Sequence, residues 1–204
     1  INISLKEDCF ELVYRNVVDI NLKNMIHKTI SFELNYKEEN LSYKDFIASV
    51  LELDRLNDVY LYIINKVLDI NKNLNESISI QLPTLFIEDL NNYSILKELF
   101  TKYKNEKNQN IIFEIEEDSF NKNLKNTFMY VNLFKEFNFG FAIFNFIANS
   151  DDYIYLKELK PKYIKASKYF LLESKQSLSV LKILTQSLDI KLIATSVTEV
   201  SELN

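Results

Sequence analysis

The sequence predicts an α/β fold built on a mainly parallel sheet, and three observations carry that prediction. Seven short runs rich in β-branched and aromatic residues alternate with longer stretches of helical period. The repeat is roughly 25–35 residues, the length of one strand-helix-strand unit. The chain has 204 residues, 47% of them apolar, which suffices for one domain around a sizeable core. Crossovers in such sheets are right-handed, which leaves an open doubly wound sheet or a closed barrel. An eight-stranded barrel takes about 250 residues, so this chain is one unit short of it.

Residues 10–18 read as the first strand and residues 29–34 as the second. Residues 43–70 are helical, because Phe46, Val50, Leu53, Leu56, Tyr60, Ile63, Ile64 and Val67 recur at three- and four-residue spacing. A break is expected near Asn57. Residues 77–82 form the next strand, stopped by Pro83, which has no amide hydrogen to donate. Helix 93–104 and strand 111–115 follow. Residues 119–137 are helical, with the Ser119 hydroxyl placed to accept from the free first-turn amides. Then come strand 140–146, a short helix over 151–159, strand 163–166 after Pro161, helix 177–188, strand 191–195 and a last helix opening at 198–203. Ile80, Ile112, Ile143, Ile164 and Ile193 sit at strand centres and are expected to pack inside or around the sheet. No internal repeat, low-complexity tract or linker appears, so residues 1–204 read as one domain.

Composition removes several functional classes. Asn occurs 24 times, Ile 23 and Lys 22 against two Arg, a skew that fits AT-rich codon usage better than a function. Net charge is −5 with both signs spread evenly, which disfavours a nucleic-acid partner. One cysteine, Cys9, allows no internal disulfide and fits a reducing, cytoplasmic compartment. A single glycine, Gly140, excludes glycine-rich phosphate loops. No apolar run approaches the ~20 residues of a membrane span. The chain opens at Ile1 without a signal pattern and is expected to be part of a longer protein, which could itself carry a membrane anchor.

Seven motifs in order then resemble one family, the EAL domains that hydrolyse cyclic di-GMP. Residues 10–19 (FELVYRNVVD) resemble its opening strand, aromatic-x-Gln-Pro-I-V-D, and residues 30–35 (ISFELN) fall at its E-A-L-x-R signature. ISIQL at 78–82 resembles V-x-V-N-L, IFEIEE at 112–117 resembles L-E-I-T-E, and AIFNF at 142–146 takes the place of A-L-D-D-F. YIKAS at 163–167 is similar to Y-x-K-I-D, and IATSVTE at 193–199 to V-A-E-G-V-E-T. The resemblance implies a TIM-type barrel whose first strand runs antiparallel, with the last helix-strand unit missing or disordered here.

The family clamps its phosphodiester with two Mg or Mn ions held by carboxylate and amide oxygens at the barrel mouth. Carried over residue by residue, the signature Glu falls at Ser31, or at Glu33 in a register shifted by ~6.6 Å on the same strand face. The substrate-contacting Arg falls at Asn35, and the Asn ligand at Gln81. A Glu is kept as Glu114, while the paired Asp motif falls at Phe144 and Asn145. The sixth-strand Lys is kept as Lys165, the following Asp is Ser167, and the two late Glu positions are Thr195 and Thr198. Glu114 is the one acidic position left, so the resemblance implies no bound metal, no catalytic residue and no cofactor.

The same residues have blander readings. Glu114 and Lys165 are expected to pair at the barrel mouth, because a lone buried charge is costly. Glu116, Glu117 and Asp118 read as a solvated helix start, His27 as a surface or loop histidine, and Cys9 as an inert thiol. Tyr153, Tyr155 and Tyr163 are expected to pack on the barrel, and residues 102–107 to form a solvated helix end. The reading is a degenerate EAL-like domain without phosphodiesterase activity, acting as a regulatory or protein-interaction module that docks a protein partner or a second copy. Its alternative is a non-hydrolysing cyclic di-GMP receptor, against which the lost Arg and the bulk of Phe144 argue. An active phosphodiesterase comes last.

Overall fold

A computed structural model describes residues 1–18, 24–37, 39–71, 76–104, 110–147, 154–173, 175–195 and 197. After a short helix α1 (Asn2–Lys6), strands β1 (Phe10–Val18) and β2 (Met25–Tyr36) pair antiparallel, with Phe10 opposite Leu34 and Val17 opposite His27. A three-residue strand β3 (Glu39–Leu41), which the sequence reading lacked, folds back on β2. Strands β4 (Ile78–Leu82), β5 (Ile111–Glu116), β6 (Gly140–Phe146), β7 (Tyr163–Ser167) and β8 (Lys191–Thr195) then add in parallel.

The strand order is β1-β2-β4-β5-β6-β7-β8 with no reversal, which excludes the doubly wound alternative. Instead the sheet curls into a half-barrel. The ammonium of Lys165 on β7 reaches the Thr29 hydroxyl on β2 at 2.7 Å, four steps away along the sheet. Among the described residues β1 pairs only with β2 and β8 only with β7, so the sheet has an unpaired edge at each end.

Alternation of side chains assigns the two faces of the curl. Ile30, Phe32 and Leu34 of β2 are buried outward against helices α2 (Tyr43–Glu52) and α3 (Leu56–Asn71), where Phe32 meets Tyr60 edge-on. Ile80, Ile143 and Ile164 join that outer layer, together with Leu96 of α5 (Leu90–Lys102) and Phe134 of α7 (Leu124–Glu136). Each such side chain contributes roughly 1.5–3 kcal/mol on burial. Ile112 and Ile193 face the other way and form a small inner cluster with Ala142 and Tyr163. The break expected near Asn57 falls three residues earlier, and the helix expected over 119–137 is split as well. Asp54, at φ 51°, separates α2 from α3, and Asn123 separates α6 (Glu117–Lys122) from α7. Asn123 rather than Ser119 caps the second of these, accepting from the Asn126 amide, while Ser119 is buried inside α6 and donates to Thr84. Thr84 opens a further short helix, α4 (Thr84–Glu88). Helices α8 (Ile154–Leu159), α9 (Lys168–Glu173) and α10 (Lys175–Ser187) complete the described elements, and the expected helix at 198–203 lies outside them.

With one glycine in the chain, left-handed backbone falls on other residues: Asp8, Lys37, Asp54, Asn138, Asn145, Lys160 and Asp189. Lys160 ends α8, its amide donating to the Leu156 carbonyl at 2.9 Å. A Cβ in that conformation costs about 1–2 kcal/mol, part of which glycine returns as unfolded-state entropy. Lys160→Gly is therefore expected to stabilise the protein by about 0.5–1 kcal/mol. A thermal melt checks it; an unchanged or lower midpoint refutes it.

Candidate functional site

The inward-facing residues of β2, β4, β5 and β7 converge on one buried carboxylate. Glu114 of β5 is wholly buried, and its Oε1 accepts from Lys165 Nζ at 2.5 Å and from the Tyr163 hydroxyl at 2.7 Å. Its Oε2 accepts from Gln81 Nε2 at 3.1 Å. Lys165, 4% exposed, donates also to Thr29, whose hydroxyl oxygen takes a further bond from Ser79 at 3.1 Å. An ion pair this deep needs further hydrogen bonds around it, and here the ammonium has two acceptors and the carboxylate three donors. Burial first, and the Glu114 charge second, push the Tyr163 phenol well above its ordinary range, so it stays a neutral donor. The expected pair thus forms, but inside the curl rather than at its mouth.

His27 corrects the sequence reading. It is 2% exposed, not a surface or loop residue, and its ring stacks on Tyr163 with centroids 4.7 Å apart. The cause is its position on β2: two residues before Thr29, it shares the inner face. Thr29, Ser79, Tyr163 and His27 were missed as members of the network. Their odd-numbered places on strands, in phase with Ser31, Gln81 and Lys165, were the signal that could have found them.

Around this network Glu11, Glu33 and Glu116 stand among neutral residues. Ser31 is half-buried opposite Val13 of β1. Glu33, opposite Glu11, accepts from Asn40 Nδ2 at 2.9 Å, which ties it to β3 rather than to Glu114. Asn35 donates to Glu11 at 2.6 Å. Phe144 is half-buried beside Glu116 in the β5–β6 register. Asn145, at φ 51°, donates to Glu116 Oε1 at 2.9 Å, and Thr84 donates to Oε2 at 3.0 Å. The Ser167 hydroxyl accepts from the Phe170 amide in the first turn of α9, and Thr195 donates to the Ala166 carbonyl. Thr198 lies outside the described residues, as do Tyr153 and residues 105–107.

The three acidic residues after β5 do not form one solvated cluster. Glu117 is 2% exposed and accepts from the Ile147 amide at 2.8 Å, while Asp118 pairs with Lys122 on the helix surface. Burial of Glu117 is caused by the α6 turn, which folds it back under the end of β6. Tyr155 packs as expected, stacked on Phe120 with centroids 4.6 Å apart. Cys9 is half-buried against the core, its carbonyl accepting from the Asn35 amide. Among the described residues no three His, Cys, Asp or Glu side chains gather as a metal-holding group, and no helix is long and apolar enough to cross a membrane.

Comparison with known proteins follows the same outline. The EAL domain family model matches residues 1–204. Vibrio cholerae LapD, as an S helix-GGDEF-EAL structure bound to c-di-GMP, superposes with a TM-score of 0.86 at 19% identity, covering 99% of this chain and 51% of its own. The Xanthomonas citri FimX EAL domain in complex with c-di-GMP gives 0.80 at 14% identity, covering 98% and 83%. The PaMucR phosphodiesterase in its c-di-GMP complex gives 0.80 at 15% identity, covering 96% and 88%. The chain spans about half the length of the LapD structure. No curated protein matches it in sequence. At these identities the structural likeness establishes the fold.

Proposed function

The chain belongs to the EAL domain family, and from that premise we infer that it is a catalytically inactive member, serving bacterial cyclic di-GMP signalling as a regulatory or protein-interaction module. One observation carries the reading: both oxygens of the single retained carboxylate of the site, Glu114, are already engaged, by Lys165, Tyr163 and Gln81. Two hard dications want several anionic oxygens between them. Ser31, Phe144, Asn145, Ser167 and Thr195 add none, so the residues present do not suit the family's metal pair. Ser31, Asn35, Gln81, Glu114, Phe144, Asn145, Lys165, Ser167, Thr195 and Thr198 are then vestiges of a site. Barrel scaffolds tolerate such loss because core and mouth draw on different residues of the same strands.

The domain is read as one unit over residues 1–204, working in the cytoplasm on a protein partner or a second copy. Binding of cyclic di-GMP itself is disfavoured by charge. Glu11, Glu33 and Glu116 stand near the mouth, and the position expected to carry a guanidinium is Asn35, held by Glu11. Titration with cyclic di-GMP, with and without magnesium or manganese, tests all three readings. No binding heat and no linear product are expected. Metal-independent binding would establish the receptor instead, and metal-dependent turnover would establish the enzyme.

A further inference from the structure

We propose that His27 is an acid-operated latch: as a neutral ring it locks β2 to β7 across the barrel interior, and once protonated it must leave, releasing the β1–β2 hairpin from the far wall. The argument starts from how the curl is held. Among the described strands no hydrogen-bonded ladder joins β8 to β1, so the hairpin is tied to the other end of the sheet only through the interior. Two contacts do this: Lys165 to Thr29 at 2.7 Å, and the His27 ring on Tyr163 at 4.7 Å and 15° between planes.

The second contact is chemically conditional. His27 is 2% exposed, and among the described residues neither ring nitrogen has a hydrogen-bond partner. A neutral imidazole tolerates this as a flat, largely apolar ring; an imidazolium with two unmet donors does not. The charged groups facing it give no relief. Lys165 on β7, Lys162 just before it and Lys191 on β8 are all positive, and Glu114 on β5 is already engaged by Lys165 and Tyr163. Tyr163, the ring it rests on, is held in its neutral form. On β1, Val17 opposite the ring carries no charge and Arg15, on the same face two residues away, is positive and exposed; Ser79 on the same face of β4 is neutral.

Geometry and charge therefore agree on the direction. Burial first, then Lys165, hold the His27 ring down to about 4 from an ordinary 6.5. A depressed folded value means the contribution is complete above the ordinary value and is lost as pH falls from about 6.5 towards 4. The exposed apolar residues at the hairpin end, Val18, Met25 and Ile26, ride on the released element.

His27 is the one histidine in the chain, so its ring protons give a single, directly assigned resonance set. The test follows that resonance and the amide protection factors of the whole chain between pH 7 and pH 4. Protection in β1 and β2 is expected to fall by about 100-fold across that range, the ratio set by the depressed titration. β5 and β6 should lose much less. His27→Phe keeps the stack without the titration and is expected to abolish the difference. Three results overturn the latch: a folded-state histidine titrating near 6.5, equal loss of protection in all strands, or an unchanged hairpin response in His27→Phe. Where that variant does not fold, the wild-type resonance and exchange pattern decide alone. The cyclic di-GMP titration at neutral pH is independent of this outcome.

Discussion

Replacing Lys165 with methionine is expected to destabilise the protein by about 3–5 kcal/mol, the cost of leaving a buried charge without its partner. The wholly buried Glu114 would keep Tyr163 and Gln81 as neutral donors but lose the ammonium 2.5 Å from Oε1. The double variant Glu114→Leu with Lys165→Met should recover much of the loss, since paired charges replaced together leave no ion stranded. Recovery stays partial because Thr29 and the Tyr163 hydroxyl lose acceptors or donors in the exchange. Urea midpoints at constant slope measure each variant, and the cycle isolates the pair. A cost below about 1 kcal/mol for Lys165→Met would mean the pair does not carry the buried charge described here. That outcome would also remove the support for reading Glu114 as structural.

The strands were legible because their signal is local. Alternation in ISFEL and ISIQL survives without any knowledge of partners, and β4 falls where expected, while β2 begins at Met25 rather than Thr29 and so takes in His27. Motif order supplied what periodicity left open, namely a sheet curled as in a barrel rather than a doubly wound one. What was illegible depends on the third dimension. His27 has no sequence neighbour that explains it; its burial follows from the curl, which brings Tyr163 over it from 136 residues away. Glu117 reads as a solvated helix start in one dimension and is buried only because α6 turns back on β6. The break expected near Asn57 falls at Asp54, which takes the left-handed role that glycine usually fills, while the split at Asn123 was hidden because that residue stays at φ −148° and no glycine or proline marks the stop. For the site, residue types at the strand ends were readable, while the engagement of both Glu114 oxygens was not: it depends on rotamers of three side chains on two other strands.

Restoring the missing ligands should restore cation binding before it restores chemistry. Ser31→Glu, Gln81→Asn, Phe144→Asp, Asn145→Asp, Ser167→Asp and Thr195→Glu together add five carboxylates around Glu114 and shorten the amide that fills its Oε2. The positions lie at strand ends, half-buried or exposed, so the added charge is partly solvated in the absence of metal. Ser167→Asp preserves a side-chain acceptor for the Phe170 amide, and Asn145→Asp suits the left-handed backbone there. The apo variant should melt below the parent through mutual repulsion, and manganese should raise its midpoint in a concentration-dependent way. Isothermal titration should show manganese affinity at least tenfold above the parent, about 1.4 kcal/mol or more. Hydrolysis of cyclic di-GMP should stay near background, because Asn35 offers no guanidinium and remains tied to Glu11. If the sixfold variant folds and binds no more manganese than the parent, these six positions are not the remains of a metal site.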